Sequence, residues 1–512
     1  MWAIKGRVVP MAADRTVAAD ESAAFAGRVW IDGGRVVAVT RGAKAGPPGS
    51  QNATVVDAGS SLVLPGFVDL HNHLAYNTLP LWTQPDQAKP FAHHNSWPGE
   101  STYAGNVTWP AYAFITAAPE ELLAYVETKG IVGGTTTIQG SPPKNHPRDG
   151  WLVRNVEDEA FGTKDKDLVY AATLTAKPAQ LADRANKMKR SLFVYHCAEG
   201  QRGSIVAKEF RDAADAGCLK KRFVAVHASA VAEGGFAAWK EPGAIAWSPF
   251  SNYWLYGATT DVPGARAAKV TVCLGSDWAP SGTKHVLGEA KVARLVSDAL
   301  GWGLSDLDVV RMMTSSPGDV LARAWPVQVG RLQPGAVADV VVLRAKKNAE
   351  PFRTVVGATE RDVELVVIDG QPRYGTAALM TAANATMTTP LPVAGEQRVL
   401  SLTKADDPAK PWKWTDVVAR LDEVRKNPKR EIEAAQGRLA AWAGRLDQRD
   451  APLRLALDMP TGLAPVGGLP KDLKDVVVPP LETLTHDAAW LASVRGRGFH
   501  GGLLDDLDRW YG

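Results

Sequence analysis

Strand-like apolar runs alternating with helical or loop segments, short strands at both ends of the core chain, and a helical shift in composition beyond Gly375 predict an α/β protein. The fold expected is a (β/α)8 TIM-like barrel with a small β-sandwich formed from both ends of the core chain, plus a mainly helical C-terminal extension.

The N-terminal unit reads as Ile4 to Pro10, Arg28 to Thr40 folded around Asp32-Gly33-Gly34, and Thr54 to Val56. The barrel strands expected are Phe67 to His73, Thr135 to Gln139, Trp151 to Val156, Leu168 to Thr175, Leu192 to His196, Phe223 to His227, Ala244 to Trp247 and Val270 to Leu274. A helical stretch, Leu304 to Ala324, follows. Strand signals return at Gly330 to Gly335, Ala338 to Leu343, Val363 to Ile368 before the Asp369-Gly370 turn, and Arg398 to Leu402. Thr415 to Arg425 reads as a helix with Val417, Val418, Leu421 and Val424 on one face, Ile432 to Leu446 as a second, and Asp458 to Pro480 as Pro/Gly-rich loop. The domains expected are therefore 1–63 with 327–402 as the composite β unit, 64–326 as the barrel and 403–512 as the extension.

At 512 residues and 54.7 kDa the chain can bury a large core, and its 45% hydrophobic and 22% charged residues are ordinary for a soluble globular protein. With 58 basic against 55 acidic residues and no long basic block, nucleic acid and anionic membrane are poor partners. A small-molecule substrate is the partner expected, with association into a homo-oligomer left open. Cys197, Cys218 and Cys273 are an odd set with no Cys-x-x-Cys pair, which fits a reducing compartment. The first residues lack the apolar segment of a signal peptide and no stretch could span a bilayer, so cytoplasmic residence is expected.

His71-Asn72-His73 carries the chemistry. Two imidazoles one residue apart on a strand share a face and can grip one metal ion, although His-x-His alone also describes two satisfied or surface histidines. The pair follows the apolar run Gly66 to Leu70 and so stands where a core strand meets solvent. In a barrel of this kind catalytic groups gather at the C-terminal strand ends. The fifth strand ends in His196-Cys197-Ala198-Glu199, the sixth in His227 and the eighth in Gly275-Ser276-Asp277. Four strand ends supplying four of only ten histidines, an aspartate and a glutamate point to a metal site.

This constellation resembles the amidohydrolase superfamily, specifically the one-metal branch with cytosine deaminase and the triazine chlorohydrolases. The matching segments are Pro65-Gly66-Phe67-Val68-Asp69-Leu70-His71-Asn72-His73, His196-Cys197-Ala198-Glu199, His227, Ser251-Asn252, Gly275-Ser276-Asp277 and Gly330-Arg331-Leu332-Gln333-Pro334-Gly335-Ala336-Val337-Ala338-Asp339. They cover residues 1 to about 375 and leave the extension and the long loop after the first strand unexplained. The resemblance implies His71, His73, His196 and Asp277 as ligands of one divalent ion, Zn²⁺ or Fe²⁺, with an open position at which water is made acidic. It implies Glu199 as proton shuttle, His227 as hydrogen-bond partner of the attacked carbonyl or imine, or of the water, and Asp277 as proton acceptor as well as ligand. The structural alternatives are a salt-bridged surface Glu199 and a core histidine at 227. Strict alternation would turn Glu199 away from His196, so the chain must bend, and Gly200 and Gly203 are the residues expected to allow it.

Around this set, Asn252 could orient substrate or simply shape its loop, and Lys284, beside Ser281 and His285, could meet an anionic substrate group or stay solvated. The insertion from Leu74 to Gly130 carries Tyr76, Trp82, Phe91, His93, His94, Trp97, Tyr103, Trp109 and Tyr112, which either roof the pocket and stack on a planar substrate or pack the loop on the barrel. His93 and His94 are adjacent, diverge on an extended chain and make poor paired ligands. Cys197, one residue off the inward face, reads as packing.

The function expected is metal-dependent hydrolysis of a non-peptide carbon–nitrogen bond, with deamination of an N-heterocycle by activated water leading. The alternative is cyclic or linear amide hydrolysis of the dihydropyrimidinase kind, which can use two metals bridged by a carboxylated lysine, for which Lys177 is the local candidate. A ligandless scaffold is disfavoured because every ligand type is present. Zinc deaminases of the His-x-Glu and Pro-Cys-x-x-Cys type are excluded by the missing cysteine pairs.

Overall fold

The computed structural model describes residues 1–140, 151–157, 168–173, 175–404, 407, 409–444, 453–458, 473, 478 and 487–511. The chain opens on β1 (Trp2–Val8), β2 (Phe25–Asp32), β3 (Arg35–Arg41) and the long β4 (Thr54–Pro65). Each run expected in the barrel region then forms a strand: β5 (Phe67–Asp69), β6 (Thr135–Ile138), β7 (Arg154–Asn155), β8 (Val169–Ala172), β9 (Leu192–Cys197), β10 (Phe223–His227), β11 (Ala244–Trp247) and β12 (Thr271–Leu274). Every pairing among them is parallel, within one sheet ordered β5-β6-β7 and another ordered β8-β9-β10-β11-β12. The C-terminal ends of β5 and β12 are tied by a parallel bridge between Asn72 and Asp277, with Asp277 N–H donating to His71 O at 2.9 Å.

These strands are buried on both faces, which is why they read as unbroken apolar runs. Leu192, Val194, Val224, Val226, Ala244 and Ala246 share one cluster with Val68 and Leu70. The alternate residues Phe193, Tyr195, Ala225, Ile245 and Trp247 join a second cluster with the surrounding helices.

The returning strands are β13 (Val340–Leu343), β14 (Val363–Ile368), β15 (Gln371–Gly375), β16 (Thr388–Val393) and β17 (Glu396–Ser401). The two ends of the core chain do meet, but as one nine-stranded sheet, β16-β17-β15-β14-β13-β4-β1-β2-β3, where a small sandwich was expected. The length of β4 is the reason: it pairs in parallel with β1 on one side and antiparallel with β13 on the other. Gly330 to Gly335, expected as strand, is irregular; it turns through Ala336 N–H to Gln333 O and docks through Leu332 N–H to Pro10 O.

In the extension, Trp414–Lys426 and Pro428–Ala443 are helices. Val417, Leu421 and Val424 are buried on one stripe, whereas Val418 is 43% exposed, because one residue turns a helix by 100°. The extension is attached by aromatic contacts, Trp414 on Tyr125 and Trp412 on Trp151, each with ring centroids 5.9 Å apart. Leu446 and most of Asp458 to Pro480 lie outside the described residues. Among the described residues no helix is long and apolar enough to cross a membrane.

The helix Pro249–Tyr256, which follows β11, is held at its start by a buried side chain from the helix Val286–Ala299: Phe250 N–H donates to Glu289 Oε1 at 2.7 Å. Burial pushes the Glu289 carboxyl up to about 8. The proton count agrees. Thr283 has one hydroxyl proton and lies at hydrogen-bond distance from both His285 O (3.1 Å) and Glu289 Oε2 (2.6 Å), so a protonated Glu289 donating to Thr283 satisfies both contacts. Because the folded value of about 8 stands above the ordinary 4.5, this group's contribution to stability is full below pH 4.5 and is lost as pH rises through about 8. Glu289→Gln keeps both hydrogen bonds without a titrating proton, and its melting temperature is expected to fall less than that of the wild type between about pH 5 and pH 9. Parallel melting curves across that range would refute a neutral Glu289.

Candidate metal centre

Four strand ends bring their side chains to one point. His71 and His73 lie just beyond β5, His196 is the penultimate residue of β9, His227 ends β10 and Asp277 follows β12. Asp277 Oδ1 is 3.1 Å from His71 Nε2 and 3.6 Å from His73 Nε2, and His73 Nε2 is 3.2 Å from His196 Nε2. Ring nitrogens of His71, His196 and His227 also fall within 4.8 Å of one another. All five residues are buried. His227 and Asp277 adopt φ of 61° and 60°, a left-handed conformation that non-glycine residues rarely take, as chain turning abruptly off a strand end requires. The close packing of β5 on β12 leaves no room for a side chain at Gly275, where a Cβ would stand 2.4 Å from His71 Cβ. Beneath the centre, the Asp69 carboxylate accepts from His71 N–H, Asn72 Nδ2 and Ser276 N–H, fixing the two strand ends against each other.

These donors fit a divalent cation. Ligands about 2.0–2.1 Å from a tetrahedral zinc stand roughly 3.3 Å from each other, close to the 3.1, 3.2 and 3.6 Å separations here. The contact of His71 Nε2 with Asp277 lacks hydrogen-bond geometry, and neither ring nitrogen of this fully buried imidazole has a hydrogen-bond partner. Nitrogens withdrawn from water and unserved by protein are what a cation would satisfy. Imidazoles with one carboxylate suit Zn²⁺.

His227 is set apart by its tautomer. Asn252 Oδ1 faces the hydroxyls of Thr259 (3.2 Å) and Thr260 (3.4 Å), so its Nδ2 is the atom 3.1 Å from His227 Nδ1 and donates to it. Thr259 already accepts from Trp247 Nε1 at 2.8 Å, so its own proton goes to Asn252. With Nδ1 accepting, the neutral ring carries its proton on Nε2, which lies 3.7 Å from Glu199 Oε1 and 3.8 Å from Asp277 Oδ2. Burial holds His227 below its ordinary value against the pull of those two carboxylates. Protonated on Nε2, the ring presents an N–H to the centre.

The bend that turns Glu199 inward is made at Ala198, with φ of 56°, two residues before Gly200, the nearer of the two glycines expected to allow it. Gly200 serves close approach instead: a Cβ there would stand 2.5 Å from Ala92 O, where the insertion crosses. Glu199 Oε1 accepts from Tyr256 OH at 2.6 Å, and Oε2 lies 3.2 Å from His94 Nδ1. His94 Nε2 in turn lies 3.3 Å from Glu209 Oε1, and Trp97 Nε1 donates to Tyr256 OH at 3.0 Å. Burial, the largest influence on Glu199, acts upward, but His227 and His94 outweigh it and draw the carboxyl down to about 2. His94 answers in the opposite sense: burial lowers it, and the hydrogen bonds it donates to Glu199 and Glu209 carry it up to about 10.

Other residues singled out in the sequence lie at varying distance from this centre. Asn252 reaches it only through His227. Trp82 is buried, stacked on Phe91 with centroids 6.1 Å apart, and receives Trp254 Nε1 on its carbonyl. Lys284 is buried with its ammonium 2.8 Å from Asp487 of the extension, so the charge offered to an anionic substrate group is engaged inside the protein. Tyr76, Trp97 and Tyr103 pack around Trp278, the residue after Asp277. Cys197 is buried in the helix-facing cluster. Lys177 is exposed ahead of the helix Pro178–Lys187. The contacts of His94, Tyr256 and Asp458 were not foreseen. For His94 the signal was a histidine inside an insertion rising from the metal end, and for Tyr256 its place after a barrel strand; for Asp458 there was none.

No family model matches the chain. A 5-methylthioadenosine/S-adenosylhomocysteine deaminase of Symbiobacterium thermophilum is 24% identical over 413 residues, spanning 72% of this chain and 92% of that protein. An imidazolonepropionase of Streptomyces griseus is 25% identical over 381 residues, spanning 66% of this chain and 92% of that protein. Among solved structures, an atrazine chlorohydrolase of Arthrobacter aurescens complexed with zinc matches with a TM-score of 0.57 at 19% identity, over 73% of this chain and 95% of that one. Guanine deaminase of E. coli matches with a TM-score of 0.53 at 17% identity, over 72% and 98%.

Proposed function

We propose that this chain, as a member of the amidohydrolase superfamily to which its relatives and structural neighbours belong, is a metal-dependent hydrolase of a non-peptide carbon–nitrogen bond that deaminates a small N-heterocycle. The observation that carries the reading is the convergence of His71, His73, His196 and Asp277 on one buried point, beside an ionised Glu199 and a His227 that presents N–H. The first four would hold one divalent cation such as Zn²⁺. Such an ion supplies acidity, bringing the pKa of water from about 15.7 towards 7.

The side chains would move the protons. Glu199 is charged at rest, so its first act is to accept a proton from the attacking water, and its second is to deliver that proton to the ring nitrogen next to the attacked carbon. Asp277 takes the remaining proton of the water and returns it to the exocyclic amino group, so that ammonia leaves and a carbonyl stays. Its Oδ1 already accepts from Trp278 N–H at 2.9 Å, which leaves Oδ2, the oxygen near His227, for this exchange. His227 donates from Nε2 to the attacking oxygen and holds it in line.

Three further parts belong to this reading. Residues 64–326 form a closed barrel, supported by the parallel pairing of β5 to β12 and the bridge between Asn72 and Asp277; residues 1–63 with 327–402 form the β domain, and 403–512 the extension. Residence is cytoplasmic, supported by three buried free cysteines. The substrate is a small molecule rather than nucleic acid or membrane.

A screen of zinc-loaded enzyme against aminated purines, pyrimidines and triazines, with cyclic amides alongside, is expected to release ammonia from an aminated ring. Ring opening without ammonia across the whole screen would replace deamination by amide hydrolysis.

A further inference from the structure

We infer that Asp458, supplied by the C-terminal extension, is a positioning residue of the metal centre: it orients the imidazole of His73. The inference rests on the ligand reading of His73 given above. His73 has its two ring nitrogens in separate employment. Nε2 faces His196 and Asp277, at 3.2 and 3.6 Å, and Nδ1 lies 2.8 Å from Asp458 Oδ2. A ring that offers the Nε2 lone pair to a cation carries its proton on Nδ1, and that N–H then donates to the carboxylate. A carboxylate behind a metal-bound histidine fixes the tautomer and the ring plane and makes the other nitrogen a better donor to the ion.

Asp458 is itself held in place. Its backbone carbonyl accepts from the hydroxyl of Thr173, just past β8, and its side chain is only 16% exposed. The chain arrives there through Leu453, buried in the main apolar cluster, with Leu455 and Leu457 packed against it. A second buried ion pair joins the same extension to the core, Asp487 to Lys284 at 2.8 Å, and Trp490 packs on Phe250 with ring centroids 5.2 Å apart. The extension therefore reaches the centre as part of a packed wall. Removing the carboxylate leaves the Nδ1–H of His73 without its acceptor and lets the imidazole rotate away from the ion.

The test is zinc affinity of the full-length protein by chelator competition, for wild type, Asp458→Asn, Asp458→Leu and Asp458→Ala, with the visible spectrum of the cobalt-substituted forms beside it. Asp458→Ala is expected to weaken zinc binding by about 10–100-fold and to alter the cobalt spectrum. Asp458→Asn retains an oxygen that accepts from Nδ1 and is expected to recover much of that loss, whereas Asp458→Leu, which keeps the bulk without an acceptor, is expected not to recover it; a purely packing role would be rescued by both. Lys284→Ala loosens the other tie of the extension and is expected to leave the cobalt spectrum unchanged. Equal zinc affinity in wild type and all three Asp458 variants would overturn the inference while leaving the metal centre standing. A wild type that binds no zinc would overturn the ligand reading itself, and the inference with it. Should Asp458→Ala fail to fold, Asp458→Leu decides, because wild-type affinity together with an unchanged cobalt spectrum in that variant contradicts the role.

Discussion

His71→Ala is expected to remove metal and turnover together while the chain stays folded. Most buried histidines cannot be deleted so cleanly, because their ring nitrogens hold part of the structure. Here both nitrogens lack a hydrogen-bond partner, so the only polar interaction given up is the 3.1 Å approach of Nε2 to Asp277. What it costs is a cavity at a fully buried position, of a few kcal/mol at most, against the contribution of a cation to transition-state charge. Loss of several kcal/mol of that contribution is roughly a thousandfold or more in kcat/KM. Circular dichroism and turnover measured on the same preparation check the two halves. A folded His71→Ala protein that turned over at even a tenth of the wild-type rate would remove His71 from the centre.

Glu199→Gln is expected to separate proton transfer from metal binding. Glutamine keeps the shape of the side chain and an oxygen for Tyr256, and Glu199 is not among the groups close enough to share the ion. Zinc should therefore remain, while kcat falls by about 10²–10⁴, the usual worth of a positioned acid–base group. His94 is the internal reporter. It lies at hydrogen-bond distance from Glu199 and from Glu209, so loss of one carboxylate lowers its affinity for a proton, visible as a shifted imidazole resonance. Full turnover in Glu199→Gln would assign the shuttle elsewhere.

The ligand set was legible because metal chemistry uses few residue types and strand ends collect them. His71, His73, His196, His227 and Asp277 all follow apolar runs that remain strands in the fold, and buried parallel strands are the easiest element to read from hydrophobicity alone. The single long sheet was not legible, since the partnership of β4 with β13 joins segments from opposite ends of the core chain. A bend before Glu199 was legible from strand alternation but its position at Ala198 was not, because alanine has no preference for positive φ. Val418 misled because it shares hydropathy with Val417 but lies 100° around the helix. The divergence of His93 and His94 along an extended chain argues against two ligands but does not bear on one histidine against a carboxylate. Asp458 sits in a loop whose composition carries no mark of chemistry, and only its arrival at His73 gives it meaning.

The most direct test is anomalous diffraction at the zinc edge from crystals grown with excess zinc. A single peak per chain is expected, about 2.0–2.2 Å from Nε2 of His71, His73 and His196 and from a carboxylate oxygen of Asp277, with His227 outside bonding distance. A chain with no peak there, or with two peaks that share His196 and His227, would contradict the one-metal hydrolase described above.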